Sequence, residues 1–193
     1  MNCITRKKEL RTDLLSQRRR ITEEQVYVSS KRICDFLYSW QKYQDVNTIM
    51  LFLPMKDEPQ IQPVFEHAWS MGKRLCIPYL GENYGHMDAV ELNSFQDLVP
   101  GKFNLLVPGT NELKIVLAKE IDLIIVPAVA YSLDGSRLGM GGGYYDRFLL
   151  RAENAIRVGV CWTSYIVEWL PTEAHDEKVD FILTDAGFYS CFK

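Results

Sequence analysis

Nothing in this 193-residue chain has the length and apolarity needed to cross a bilayer, and no signal peptide is read at its start, where residues 5–20 are basic and polar. Its five cysteines, Cys3, Cys34, Cys76, Cys161 and Cys191, are scattered, odd in number and without a Cys-x-x-Cys pair. That argues against a disulfide framework or a zinc site, and they read as reduced packing residues of a cytoplasmic protein. Histidine is scarcer still, at three, and neither a Ser-His-Asp set nor a nucleophilic cysteine is visible. A net charge of −3 excludes a domain-wide basic field for a nucleic acid backbone. No internal repeat, low-complexity tract or long linker divides the chain. What remains is an ordinary globular composition, 47% hydrophobic and 24% charged, expected to form one domain over residues 1–193. A monomer is expected, with small-molecule ligands and no membrane or nucleic acid partner.

Glycine is concentrated where other residues are not. Five of the twelve glycines fall between Gly135 and Gly143. An apolar run at 121–130 precedes them and a helical composition at 144–150 follows, so the order is strand, glycine-rich loop, helix. Consecutive glycines let successive backbone N–H groups turn toward one point, and a helix N-terminus adds partial positive charge. Such a loop cradles an anion, most often phosphate. It is not a Walker A loop, since no Gly-Lys-Ser/Thr ends it, nor is it a clean Rossmann fingerprint. Asp146, just inside the helix, would repel a phosphate unless a cation lay between them, and Mg²⁺ prefers carboxylate and phosphate oxygens. The plainer alternative is a flexible connection whose glycines only make turns.

The segment Ser136-Arg137-Leu138-Gly139-Met140-Gly141-Gly142-Gly143-Tyr144-Tyr145-Asp146 resembles the central motif of the 5-formyltetrahydrofolate cyclo-ligase family. The resemblance extends from Lys7 to Asp180. It implies an ATP- and Mg²⁺-dependent ligase that closes 5-formyltetrahydrofolate to 5,10-methenyltetrahydrofolate. It also implies nucleotide contacts from Lys7 and Arg11 and from the run Arg137, Leu138, Gly139, Met140, Gly141, Gly142, Gly143, Tyr144 and Tyr145. Folate contacts are implied for Leu53, Glu58 and the loop from Met140 through Gly141, Gly142 and Gly143 to Tyr144. Asp146 and Asp176 are the implied metal ligands, with Arg137 and Tyr144 as the catalytic residues. His175 is a rival metal ligand, but Mg²⁺ favours oxygen. Two departures stand out: Met140, where animal members carry Arg, and the Cys161-Trp162 pair. Phe103 stands where relatives can carry Trp, an aromatic available to a ligand.

The remaining chain reads as alternating helices and strands. Residues 5–20 form a helix with Ile4, Leu10, Leu14 and Leu15 inward and Lys7 and Arg11 stacked on one face. Arg18, Arg19 and Arg20 are read as surface charge. Thr22-Glu-Glu-Gln25 is a capping box opening a helix that buries Val26, Ile33, Phe36, Leu37 and Trp40. Residues 43–47 read as a polar connection. The apolar run 49–53 is a strand buried on both faces, followed by the acidic loop carrying Glu58. A helix at 62–71 and a strand at 75–77 ended by Pro78-Tyr79 follow, with His67 structural. Beyond the strand at 121–126 come a helix at 144–153, a strand at 156–162, a short helix at 164–170 and a last strand at 181–183. The expected architecture is a three-layer α/β domain with a largely parallel sheet, similar to the ribose-phosphate isomerase and CoA-transferase-like fold. That relation leaves two rivals to the ligase: an enzyme or sensor for a sugar phosphate, and a module that binds nucleotide without turning it over.

Overall fold

The computed structural model describes residues 2–81, 84–101, 106–109 and 113–191. The Asn2 side chain accepts the Thr5 amide at 2.9 Å and starts α1 (Cys3–Arg18). This helix buries little: Leu14 is enclosed, Leu10 and Leu15 rest against the core, and Ile4, expected inward, is exposed. The capping box forms at Thr22 and opens α2 (Glu23–Ser39). Val26, Ile33 and Leu37 are buried, while Phe36 lies at the margin of that apolar stripe and is 36% exposed.

The expected polar connection is instead α3 (Gln41–Asp45), and its Tyr43 is wholly enclosed. One large aromatic among polar neighbours leaves no periodic signal. The Tyr43 hydroxyl meets His67 Nδ1 at 2.9 Å, and Tyr38 stacks on that imidazole with centroids 4.2 Å apart, which gives His67 its structural role.

Strand β1 (Thr48–Met50) leads through α4 (Gln62–Ser70) to β2 (Arg74–Leu80), which turns back as β3 (Met87–Glu91). Pro78 does not end β2, contrary to expectation. Its missing N–H points toward the β1 side, and β1 has already ended opposite Cys76, so no ladder bond is lost. A short ribbon of β4 (Leu98–Pro100) and β5 (Leu106–Pro108) precedes β6 (Ile115–Val116). Then follow β7 (Leu123–Pro127), β8 (Ala130–Ser132), β9 (Arg137–Leu138), α5 (Tyr144–Leu149) and β10 (Ile156–Val160). The short helix expected at 164–170 is a single 3₁₀ turn followed by β11 (Ile166–Val167), whose β-branched pair joins Tyr131 and Ser132. The chain closes with β12 (Phe181–Thr184) and an antiparallel partner, β13 (Gly187–Ser190).

The main sheet has the order β13-β12-β10-β7-β1-β2-β3-β6, and its five central strands from β12 to β2 are parallel. The step from β1 to β2 runs one way along the sheet; the steps from β7 to β10 and from β10 to β12 run the other way. Right-handed crossovers then put α4 on one face and α5, with the small β8-β9-β11 sheet, on the other. Helix α2 contacts α4 and β12 and so shares the α4 face, giving the three expected layers. Ile49, Ile124, Ile125 and Val158 are wholly buried between them, each worth about 1.5–3 kcal/mol of apolar burial. The loops that leave β1, β7 and β10 emerge at the carboxyl ends of parallel strands, where such sheets place ligands. Among the described residues no helix is long and apolar enough to cross a membrane.

Candidate active site

The five clustered glycines do two different jobs. Gly135 belongs to the β8–β9 hairpin, where its φ is +85° and an added Cβ would stand 2.5 Å from the Val179 carbonyl oxygen. Asp134 holds that turn by accepting the Ser132 hydroxyl at 2.5 Å and the Ser136 amide at 3.1 Å. Burial raises the Asp134 carboxyl, but Lys178 and the two serines outweigh it and leave it below its ordinary value. The remaining four glycines form the loop at 139–143, which ends at Gly143 with φ +65° as the N-cap of α5.

Helix α5 has six residues, shorter than the expected 144–153, so its dipole adds little to the loop. Fixed positive charge comes from Arg11 instead. Its Nε donates to the Gly139 carbonyl at 2.7 Å, and its Cζ lies 3.5 Å from where a Gly141 Cβ would stand. Gly141 has φ +99°, a conformation L side chains rarely adopt, so only glycine lets the loop take this path under the guanidinium. Arg147 clamps the far side, donating from Nη2 to the Gly142 carbonyl at 2.6 Å and from Nε to the Gly85 carbonyl at 2.7 Å.

Lys7, one turn before Arg11, does not reach the loop. Its ammonium lies 2.6 Å from Asp176 Oδ2 and 3.0 Å from Glu173 Oε2. Burial lowers the Lys7 ammonium, but the two carboxylates outweigh it and raise it. Asp176 moves the opposite way: burial raises it, while Lys7 and the Glu173 amide pull it below its ordinary value. Arg137 Nη2 donates to Asp146 Oδ1, which also accepts the Glu177 amide at 3.1 Å. That last bond brings the backbone of the 176–177 segment against Asp146, thirty residues away in sequence, while the Asp176 carboxylate is taken by Lys7 and the Glu173 amide. His175, beside them, is exposed.

The donor set suits Mg²⁺. Both carboxylates present hard oxygens, and the bonds to Asp146 and Asp176 each converge on one oxygen of the carboxylate. Among the described residues no group of three or more His, Cys, Asp or Glu could hold a metal. An Mg²⁺ ion here would need phosphate and water oxygens to complete its shell.

Glu58 is 6% exposed, its Oε2 accepting the Met55 amide at 3.0 Å and its Oε1 facing Arg18 Nη1 at 3.4 Å. Burial pushes its carboxyl above the ordinary value, against the Met55 amide and Arg18. Leu53 packs partly against the core at the start of this loop. Leu138 is 2% exposed, so it offers backbone alone, whereas Met140 is exposed. The Tyr144 ring meets Tyr84 edge-on at 6.0 Å and lies 5.7 Å from the Arg147 guanidinium carbon. Tyr145 buries its hydroxyl, and that oxygen and Arg137 Nε are buried polar atoms with no hydrogen-bond partner among the described residues. Beside the loop, Tyr84, Arg147, Phe148 and Arg151 line a cleft of about 310 Å³. Phe103 lies outside the described residues.

Two features escaped the sequence. Arg18 is buried, not surface charge, and Arg147 is a clamp of the loop. For Arg18 a signal existed: Lys7, Arg11 and Arg18 fall within about 40° of one another around a helix of 3.6 residues per turn. Arg19 and Arg20 fall outside that arc and are exposed. Burial pushes the thiols of Cys34 and Cys76 up to about 11 and about 12, so neither serves as a nucleophile at neutral pH.

Comparison with known proteins agrees with this fold. The model of the 5-formyltetrahydrofolate cyclo-ligase family matches residues 3–185. A 5-formyltetrahydrofolate cyclo-ligase of Mus musculus is 29% identical over 187 residues, covering 92% of each chain. One of Escherichia coli (strain K12) is 29% identical over 175 residues, covering 89% of this chain and 96% of the other. The solved structure of Aquifex aeolicus 5,10-methenyltetrahydrofolate synthetase superposes with a TM-score of 0.84 at 31% identity, covering 97% of this chain and 93% of that one. With a family match over nearly its whole length and a fold shared with such a structure, the chain belongs to the 5-formyltetrahydrofolate cyclo-ligase family of ligases.

Proposed function

We propose that this chain converts 5-formyltetrahydrofolate and ATP to 5,10-methenyltetrahydrofolate, ADP and phosphate, with Mg²⁺, as a cytoplasmic monomer. The difficulty it solves is electronic. The N5 lone pair is delocalised into the formyl carbonyl, so the carbon is a poor electrophile and the oxygen a poor leaving group. Transfer of the γ-phosphoryl group to the formyl oxygen releases ADP and turns that oxygen into part of a phosphate. N10 then attacks the formyl carbon, loses its proton and closes a five-membered ring as the C–O bond breaks and phosphate departs.

This chemistry asks for alignment and charge neutralisation, not for a protein nucleophile. Arg11 and the 139–143 loop would hold the phosphates. Arg137, next to the loop, would stabilise charge on the transferred group, and Tyr144 would bind at the point where loop and folate meet. Leu53 would pack on the folate, and the buried Glu58 carboxylate would accept two N–H bonds from the pterin edge. Mg²⁺, held by Asp146 and Asp176, would neutralise phosphate charge. Lys7 would follow the phosphates only by leaving Asp176, so it serves first to hold the acidic loop in place.

The observation that carries the reading is Arg11 lying over a glycine loop whose next helix sets Asp146 against the Glu177 amide, one residue from Asp176. A spectroscopic assay of methenyl product tests it. Product should form only when 5-formyltetrahydrofolate, ATP and Mg²⁺ are all present. Product without ATP, or ATP bound and never consumed with the folate present, would sink it.

A further inference from the structure

Of the arginine run, Arg18 alone is buried, at 3% exposure, and no step above uses it. Its guanidinium sits between the two acids that follow β1. Nε donates to Asp57 Oδ2 at 2.9 Å and Nη2 to Asp57 Oδ1 at 3.3 Å, a two-pronged grip that fixes the plane of the cation. Asp57 is itself held, since Trp162 Nε1 donates to its carbonyl at 3.1 Å. The remaining arm, Nη1, reaches Glu58 Oε1 at 3.4 Å. Arg18 is thus anchored on one acid and presented to the other.

An exposed pair with these distances would contribute little. Here the two side chains are 4% and 8% exposed, and a charge buried without a partner is costly. The charged and titratable groups facing Glu58 are Arg18 from α1, Asp57 from its own loop and Tyr145 from α5. Asp57 is a like charge and Tyr145 is neutral, so Arg18 is the cation that offsets burial. A neutral Glu58 would offer a donor in place of one acceptor, the wrong pattern for two N–H groups.

We propose that Arg18 is a positioning residue for folate binding: anchored on Asp57, it holds Glu58 as a charged, oriented acceptor for the substrate's ring edge. This rests on the assignment of Glu58 to the folate. It is tested by calorimetric binding of 5-formyltetrahydrofolate, without ATP, across a pH series, in wild type, Arg18→Met, Glu58→Gln and the double variant. Circular dichroism establishes that each is folded. Arg18→Met should weaken binding by about tenfold near neutral pH, the scale of a hydrogen bond to a charged group. The acidic limb of its affinity should move to higher pH, because Glu58 takes up a proton more readily without its cation. Arg18→Lys, which keeps the charge, should return the limb toward the wild-type position. Added to Glu58→Gln, Arg18→Met should cost no further affinity. If Arg18→Met does not fold, Arg18→Gln keeps a donor and makes the same comparison. An unmoved limb, or losses that add in the double variant, overturns the proposal alone. Unchanged binding in Glu58→Gln overturns the folate assignment of Glu58 and the proposal with it, while turnover by the wild type stands or falls separately.

Discussion

Replacing Asp146 with Asn removes a charge and almost no volume, so its consequences can be worked from the contacts. Asp146 Oδ1 accepts both Arg137 Nη2 and the Glu177 amide. Asn can keep both bonds through its own oxygen; what it cannot keep is the counter-charge for Arg137. That guanidinium is 5% exposed and already has one N–H without a partner among the described residues. Removing one member of a buried ion pair costs about 3–5 kcal/mol, and the retained acceptor and residual access to water at Asp146 put the expected loss nearer 2–3 kcal/mol. For a chain of this length that lowers Tm by about 5–10 °C. Turnover should fall on the order of a hundredfold, as when one preorganised electrostatic contact is lost. Asn is at home near a helix start, yet α5 takes no side-chain cap, so that tolerance does not protect the fold. Urea melts with fitted slope and midpoint, and turnover normalised to folded protein, read the two effects apart. Arg137→Met combined with Asp146→Asn should regain stability relative to Asp146→Asn, because no orphaned charge is left. A single variant as stable as wild type, or a double variant less stable than the single, would refute the reasoning.

Arg11→Ala should raise the KM for ATP by about tenfold or more while leaving Tm nearly unchanged, since its bond to Gly139 is to a loop carbonyl on a polar helix face. Steady-state kinetics at saturating folate reads this, and an unchanged KM would return Arg11 to surface charge. Tyr145→Phe removes a buried hydroxyl that has no partner among the described residues, so thermal melts should show Tm unchanged or higher. A clear fall would reveal a bond to that hydroxyl. Asp134 is held below its ordinary 3.8, so it contributes stability above that pH and loses it as pH falls further. Asp134→Asn should therefore be less stable than wild type near neutrality, modestly because the side chain is half exposed, with the gap closing in acid. A gap independent of pH would assign the loss to the turn's hydrogen bonds alone.

The parallel core was legible from short apolar runs such as 49–53, although β1 itself ends at Met50, and 123–126, as expected of strands between two layers. Edge elements were not. Strand β13 follows a tight turn after β12 and alternates weakly, and Tyr43 gains its place from an imidazole far along the chain. In the site, residue chemistry beside the glycine loop pointed to Asp146, whereas Arg11 and Asp176 came from the family resemblance; that the 176–177 segment returns against Asp146 follows from topology. The division of labour among glycines was hidden, because composition does not say which glycine turns a hairpin and which lies under a guanidinium. Lys7 and Arg11 share a helix face, but their targets differ by where the 173–177 segment returns, which no local pattern encodes. Arg18 was misread because a run of arginines looks solvated until a helix phase is imposed on it.

The central claim is that the formyl oxygen accepts the phosphoryl group, and the fate of that oxygen decides it. 5-Formyltetrahydrofolate labelled with ¹⁸O in the formyl group is turned over with ATP and Mg²⁺, and inorganic phosphate is examined by mass spectrometry. The oxygen departs bonded to phosphorus, so one ¹⁸O should appear in each phosphate released. Unlabelled phosphate with ATP consumed and the label recovered in water would contradict it.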